Sequence, residues 1–290
     1  MTSRATERTM SQGKPIPSEA SSSSRPARLC VLFDASPGSL AALELAINAR
    51  RPDQPLEVLY LDEPDWQRSA VYPFAAEICG LSGQLRPHHP ESASWRQQHG
   101  QARARRALQQ RLSALGLAAD WRVCHHHQLD DWLAGLDAAD CLALGRVGYA
   151  EQQGRQVGKL VRRLVEQSRA SLLLPARGSP PAPRSVAVLL DMADRPDWQA
   201  TLVDQARARA AALGLSLLLI GQAQSDPLAG PAECYRPNYP TGSAGQAELA
   251  RVLRARRAAE LFISRRGRWM GSTQGLARLA ALPVTLRVMT

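Results

Sequence analysis

Residues 140–175, DCLALGRVGYAEQQGRQVGKLVRRLVEQSRASLLLP, decide the fold. The run at 141–144 predicts a strand buried on both faces of a sheet. A glycine-punctuated loop follows, then an amphipathic helix over about 158–169 and a second buried strand over 171–175. The loop is spaced Gly145, two residues, Gly148, nine residues, Gly158, and Lys159 comes next. Glycine lets backbone amides approach a ligand with no Cβ in the way. The last glycine opens a helix whose free N–H groups favour an anion. Two readings stand: a phosphate cradle, or a strand-to-helix connection in which glycine only relieves backbone strain. Three glycines at this spacing, at the carboxyl ends of parallel strands where open α/β sheets bind ligands, favour the cradle.

The chain before this stretch builds toward it. Residues 1–27 are polar and rich in Ser, Pro and Arg, which predicts a disordered tail. Residues 28–33 (RLCVLF) form a continuous apolar run ending at Asp34. Ser36 is the candidate N-cap of the next helix and Pro37 its first residue. Leu40, Leu43 and Ile47, with Ala41 and Leu45, give that helix its expected inward stripe. A second strand at 56–61 (LEVLYL) implies a right-handed crossover and a parallel sheet. Residues 62–93 are a long excursion, read as a surface flap or a cover for the ligand mouth. A helix at 94–115 turns Trp95, Ala102, Leu108, Leu112 and Leu115 inward and its arginines outward. A strand at 120–124 and a short helix at 129–136 complete the approach.

After the Pro-rich linker at 178–184 the pattern restarts. Residues 185–190 (SVAVLL) and Asp191 mirror 28–33 and Asp34. A helix at 198–213 and a strand at 215–220 follow, and 222–245 read as irregular. A helix at 246–259, a strand at 261–264, a helix at 272–281 and a strand at 284–288 repeat the closing half. This is an internal duplication, with domains expected at 28–177 and 185–290.

Composition bounds the function. Hydrophobic content of 44% and charged content of 21% suit a soluble globular protein, and no apolar run is long enough for a membrane span. The N-terminus lacks a signal-peptide core, so the five cysteines are expected reduced, in a cytoplasm. The net charge of +10 comes almost wholly from arginine, with lysine only at 14 and 159. No aromatic-interleaved basic platform accompanies it, which argues against nucleic acid as the partner.

The strand and helix order, the Asp ending the first strand and the glycine spacing together resemble the universal stress protein family, over both halves of the chain. Asp34, Ala35, Ser36, Gly38 and Ser39 match the family's D-x-S-x-x-S opening. The resemblance implies an α/β fold of two tandem Rossmann-like (adenine nucleotide alpha hydrolase-like) domains, each a five-stranded parallel sheet flanked by helices. It implies ATP or AMP as ligand, with or without Mg²⁺, and a signalling role exercised through a protein partner or homo-oligomer. Carried over, Asp34, Ala35 and Leu61 lie near base or ribose, Gly145, Gly148 and Gly158 surround the phosphates, and Ser36 and Lys159 complete the cofactor-binding set. The family has Ser or Thr where this chain has Lys159, a competent phosphate partner as a point charge. In the second copy Ser264 replaces the first glycine, and only three residues separate Gly267 from Gly271. That copy is expected to be degenerate, although Arg265, Arg266 and Arg268 could attract an anion.

One metal-like cluster remains: Cys124, His125, His126, His127, Asp130 and Asp131. Adjacent strand residues point to opposite faces, so a strand end entering a loop, with Asp130 or Asp131 capping the next helix, is the favoured reading. No P-loop, G-x-S-x-G or paired-carboxylate pattern appears, so no catalytic residue is assigned and a slow ATPase is the enzymatic alternative.

Overall fold

The computed structural model describes residues 26–34, 36–62, 76–78, 82–87, 90–125, 128–146, 158–176, 182–191, 194–221, 232–235, 242–270 and 273–290. The first half holds strands β1 (Leu29–Phe33), β2 (Leu56–Asp62), β5 (Asp120–His125), β6 (Cys141–Leu144) and β7 (Ser171–Leu174). Its helices are α1 (Pro37–Ala49), α2 (Pro90–Ala114), α3 (Leu129–Ala134) and α4 (Lys159–Gln167). The second half holds β8 (Ser185–Leu190), β9 (Ser216–Gly221), β10 (Ala232–Tyr235), β11 (Ala258–Ser264) and β12 (Thr285–Met289). Its helices are α5 (Pro196–Leu213), α6 (Gly242–Ala255) and α7 (Thr273–Ala280).

The strands expected to be buried on both faces are so. Every residue of β1 and β8 is buried, because helices cover the sheet on both sides. One face of the first half packs against α1 and α2 through Leu43, Ala46, Leu108 and Leu112. The corresponding face of the second half packs against α5 through Leu202, Val203 and Ala206. The opposite face carries α3, α4, α6 and α7 over a single apolar cluster that runs through both halves.

Each half contributes the expected five parallel strands, and the two sets join edge to edge into one sheet of ten strands in the order β10-β9-β8-β11-β12-β7-β6-β1-β2-β5. Every neighbouring pair is parallel except β12 with β7, which join antiparallel at the seam. There Leu286 faces Leu174, Arg287 faces Leu173 and Val288 faces Leu172. The registers of β1 on β6 and β8 on β11 equate Leu144 with Ile263, and hence Gly145 with Ser264 and Arg146 with Arg265. The seam therefore has an approximate two-fold axis through the Leu173–Arg287 pair.

Three expectations are corrected. The segment 222–245, read as irregular, contains β10 and the start of α6; β10 is an edge strand whose residues are only partly buried, so its sequence carries no apolar run. The excursion contains a small antiparallel pair, β3 (Ala76–Ile78) with β4 (Leu85–Pro87), and the first turn of α2. Leu40 and Leu115 are exposed rather than inward, and Ala42, Ala46 and Ala104 take the buried positions because small side chains let the helices approach the sheet closely. No helix among the described residues is long and apolar enough to cross a membrane.

Candidate functional site

Strands β6, β1 and β2 lie side by side, so their carboxyl ends deliver Gly145, Asp34 and Leu61 to one rim. Asp34 shapes the turn that starts α1, its Oδ1 accepting the Ser36 N–H at 2.9 Å. Ser36 is the N-cap as expected: its Oγ accepts the Ser39 N–H at 3.1 Å, and Ser39 Oγ donates back to the Ser36 carbonyl at 3.0 Å. Both serines are buried, and the Ser36 hydroxyl serves as the helix cap. Leu61 is half-buried against the apolar cluster that carries α3 and α4.

The glycines divide by role. A Cβ on Gly145 would stand 2.9 Å from the Gly38 carbonyl carbon and 3.1 Å from the Ser39 nitrogen. The end of β6 thus abuts the N-terminus of α1, and strand–helix packing alone requires glycine there. Gly158 is buried, donates its N–H to the Arg146 carbonyl at 2.9 Å, and is the N-cap of α4 with no side-chain capping bond. The first-turn amides of α4 therefore have no side-chain partner at the cap, an arrangement that favours an anion. Ala35 and Gly148 lie outside the described residues, as does the side chain of Lys159.

Arg146 is the residue that sequence reading missed. Its side chain is buried, and its guanidinium donates to the carbonyls of Ala280, Leu282 (3.1 Å) and Val284 (2.5 Å), across the seam. Ala280 ends α7, where helical carbonyls lack internal partners and the dipole is negative, so the buried cation is compensated. No local signal marks this arginine among the many others in the chain.

The second half fills its own equivalent site. The Asp191 carboxylate accepts the Arg268 main-chain N–H at 2.5 Å and its Nε at 3.0 Å. Gly267 packs so closely that a Cβ would stand 3.3 Å from Asp191 Oδ2. Ser264 Oγ donates to Asp194 Oδ1 at 2.8 Å and accepts from Trp198 Nε1 at 3.1 Å. Burial pushes the Asp194 carboxyl up, against the opposing effect of the Ser264 hydrogen bond. Arg265 donates to the Ala170 carbonyl at 2.7 Å, and Arg266 lies 5.9 Å over the Trp198 ring. The three arginines that could have attracted an anion are thus engaged within the protein.

No family model matches the chain, and no curated protein matches it. Solved structures do. A universal stress protein from Archaeoglobus fulgidus DSM 4304 is similar at a TM-score of 0.58 and 11% identity, over 91% of this chain and 96% of that one. The chain has the universal stress protein fold. A protein of unknown function from Pseudomonas aeruginosa PAO1 is similar at a TM-score of 0.53 and 12% identity, over 91% of this chain and 92% of that one. A proposed universal stress protein from Pseudomonas aeruginosa UCBPP-PA14 gives the same score and identity, over 91% and 93%.

On this universal stress protein fold the metal-like cluster does not assemble among the described residues. Cys124 points into the core and burial raises its thiol, whereas His125 is exposed on the edge strand β5. Asp130 pairs with Arg163 of α4. The N-cap of α3 is Gln128 with no side-chain bond, so Asp130 and Asp131 lie in the first turn instead of capping it. His126 and His127 lie outside the described residues.

Proposed function

We propose that the chain binds an adenine nucleotide, ATP or AMP, with or without Mg²⁺, at the carboxyl rim of β6, β1 and β2. It acts in the cytoplasm as a stress-response signalling protein, and nucleotide occupancy alters its contacts with a protein partner or a second copy. The observation that carries this reading is the convergence of Asp34, Leu61 and the N-terminus of α4, without a side-chain cap, on one strand-end rim. The Asp191–Arg268 pair supports a single site, because the carboxylate equivalent to Asp34 is bound by a loop residue of its own half. The universal stress protein named among the similar structures supports the functional class.

Calorimetry with ATP and AMP on the full chain tests it. One nucleotide per chain is expected, with affinity abolished in Gly148→Val; no heat from folded protein overturns the proposal. A second reading, an interaction protein that binds no nucleotide, draws on Gly145 and Arg146, whose packing roles are complete without a ligand. Under that reading Gly148→Val leaves partner binding intact.

A further inference from the structure

We propose that Arg146 is a positioning residue that sets the N-terminus of α4, and so the proposed nucleotide rim, from the other half of the sheet. Its side chain and main chain do two separate jobs. The guanidinium reaches the end of α7 and the turn into β12, donating to Ala280, Leu282 and Val284. A planar guanidinium spreads five N–H donors in a fixed fork that reaches carbonyls set apart, whereas an ammonium clusters its three donors on one atom. The Arg146 carbonyl, meanwhile, accepts the Gly158 N–H at 2.9 Å and ties the base of the loop to the first residue before α4. On its other side Gly145 is pressed against Gly38, so the Arg146 main chain has little freedom to move away. The place where α4 presents its first amides is therefore fixed jointly by α1 and by the second half.

Arg146 is one of several ties across the seam. Strands β7 and β12 pair directly, and an apolar cluster continues across both halves beneath α4 and α7. Arg265 makes the equivalent contact on Ala170, beyond the far end of α4 from the rim, so it serves as the internal control.

The experiment compares full-length Arg146→Met and Arg265→Met, with Arg146→Lys to retain charge at reduced valence. Without ligand, amide exchange at Gly158, whose N–H is held by the Arg146 carbonyl, rises about tenfold or more in Arg146→Met, stays at the wild-type rate in Arg265→Met and is intermediate in Arg146→Lys. With ATP, affinity falls about tenfold in Arg146→Met and is unchanged in Arg265→Met. Equal effects of the two Met variants, or none at Gly158, overturn the proposal. The affinity arm rests on the nucleotide reading, whereas the exchange arm does not. If wild-type protein binds no ATP, that reading fails by itself and the exchange difference still decides the role of Arg146. Should Arg146→Met not fold, Arg146→Lys carries the same comparison, and a wild-type exchange rate at Gly158 in it overturns the proposal.

Discussion

Arg146 and Arg265 occupy equivalent positions in the two halves and cross the seam in opposite directions, each to the carbonyl just before the last strand of the other half: Val284 for Arg146 and Ala170 for Arg265. Arg265 is partly buried, and that burial lowers its guanidinium to about 10. Removing a charged donor from a withdrawn carbonyl costs more than an exposed hydrogen bond returns. Arg265→Met is expected to destabilise the chain by about 2 kcal/mol in urea unfolding. A loss within a few tenths of a kcal/mol would mean that β7–β12 pairing alone carries the seam.

Gly145 and Gly100 make a contrasting pair. A methyl at Gly145 would meet the Gly38 main chain at 2.9 Å, and backbone cannot yield as a flexible side chain can. Gly145→Ala is expected to cost about 1–3 kcal/mol, as overpacking does. Gly100, inside α2, has nothing within 4 Å of the same position. Gly100→Ala is expected to stabilise by about 0.5–1 kcal/mol, since alanine loses less entropy in a helix. Thermal melts of both variants check the contrast, and equal signs would refute it.

The legible parts of the fold were those carried by local pattern. The runs of β1, β6, β7 and β8 announce strands covered on both faces, and the Asp34–Ser36–Pro37 sequence announces the turn into α1. Strand β10 gave no such signal because its edge position leaves Glu233 and Cys234 exposed. Helix faces were misjudged where alanine does the packing, as at Ala42, Ala46 and Ala104. The seam could not be read at all, since pairing β7 with β12 depends on which strands are left as edges. Arg146 was hidden for the same reason: its partners lie more than 130 residues away, and flanking glycines drew the functional reading. Of the candidate site, the strand-end positions of Asp34, Leu61, Gly145 and Gly158 and the capping role of Ser36 were legible, but not the close approach of Gly145 to Gly38.

The cysteines separate by reactivity. Burial raises the thiols of Cys30, to about 12, and of Cys141, with neighbouring carboxylates adding to the shift. Burial likewise raises Cys124, while Cys234 is exposed on β10. In a Cys79→Ser background, a thiol reagent at neutral pH is expected to label Cys234 promptly and the other three only after denaturation. Mass spectrometry of the labelled protein reads the order, and early modification of Cys30 would contradict the burial of β1.

Glu260 supplies the pH dependence. Its carboxylate is buried and accepts from Arg209 Nε and Nη2 at 3.0 and 2.8 Å and from Arg287 Nε at 2.5 Å. Burial alone would raise this carboxyl, but the Arg287 charge and the hydrogen bonds from Arg209 and Arg287 outweigh it and hold it below its ordinary value of 4.5. A carboxyl held down in the folded state contributes stability that is fully present above 4.5 and is lost as pH falls through the lower folded value. Glu260→Gln leaves two largely buried guanidinium groups without their counter-charge and is expected to cost about 3–5 kcal/mol at pH 7. Because protonation removes the same charge from wild type, the two stability curves should converge as pH falls from 4.5 through the lower folded value. Urea unfolding across that range decides it: a gap that stays constant with pH would show that Glu260 acts through shape and hydrogen bonding rather than through its charge.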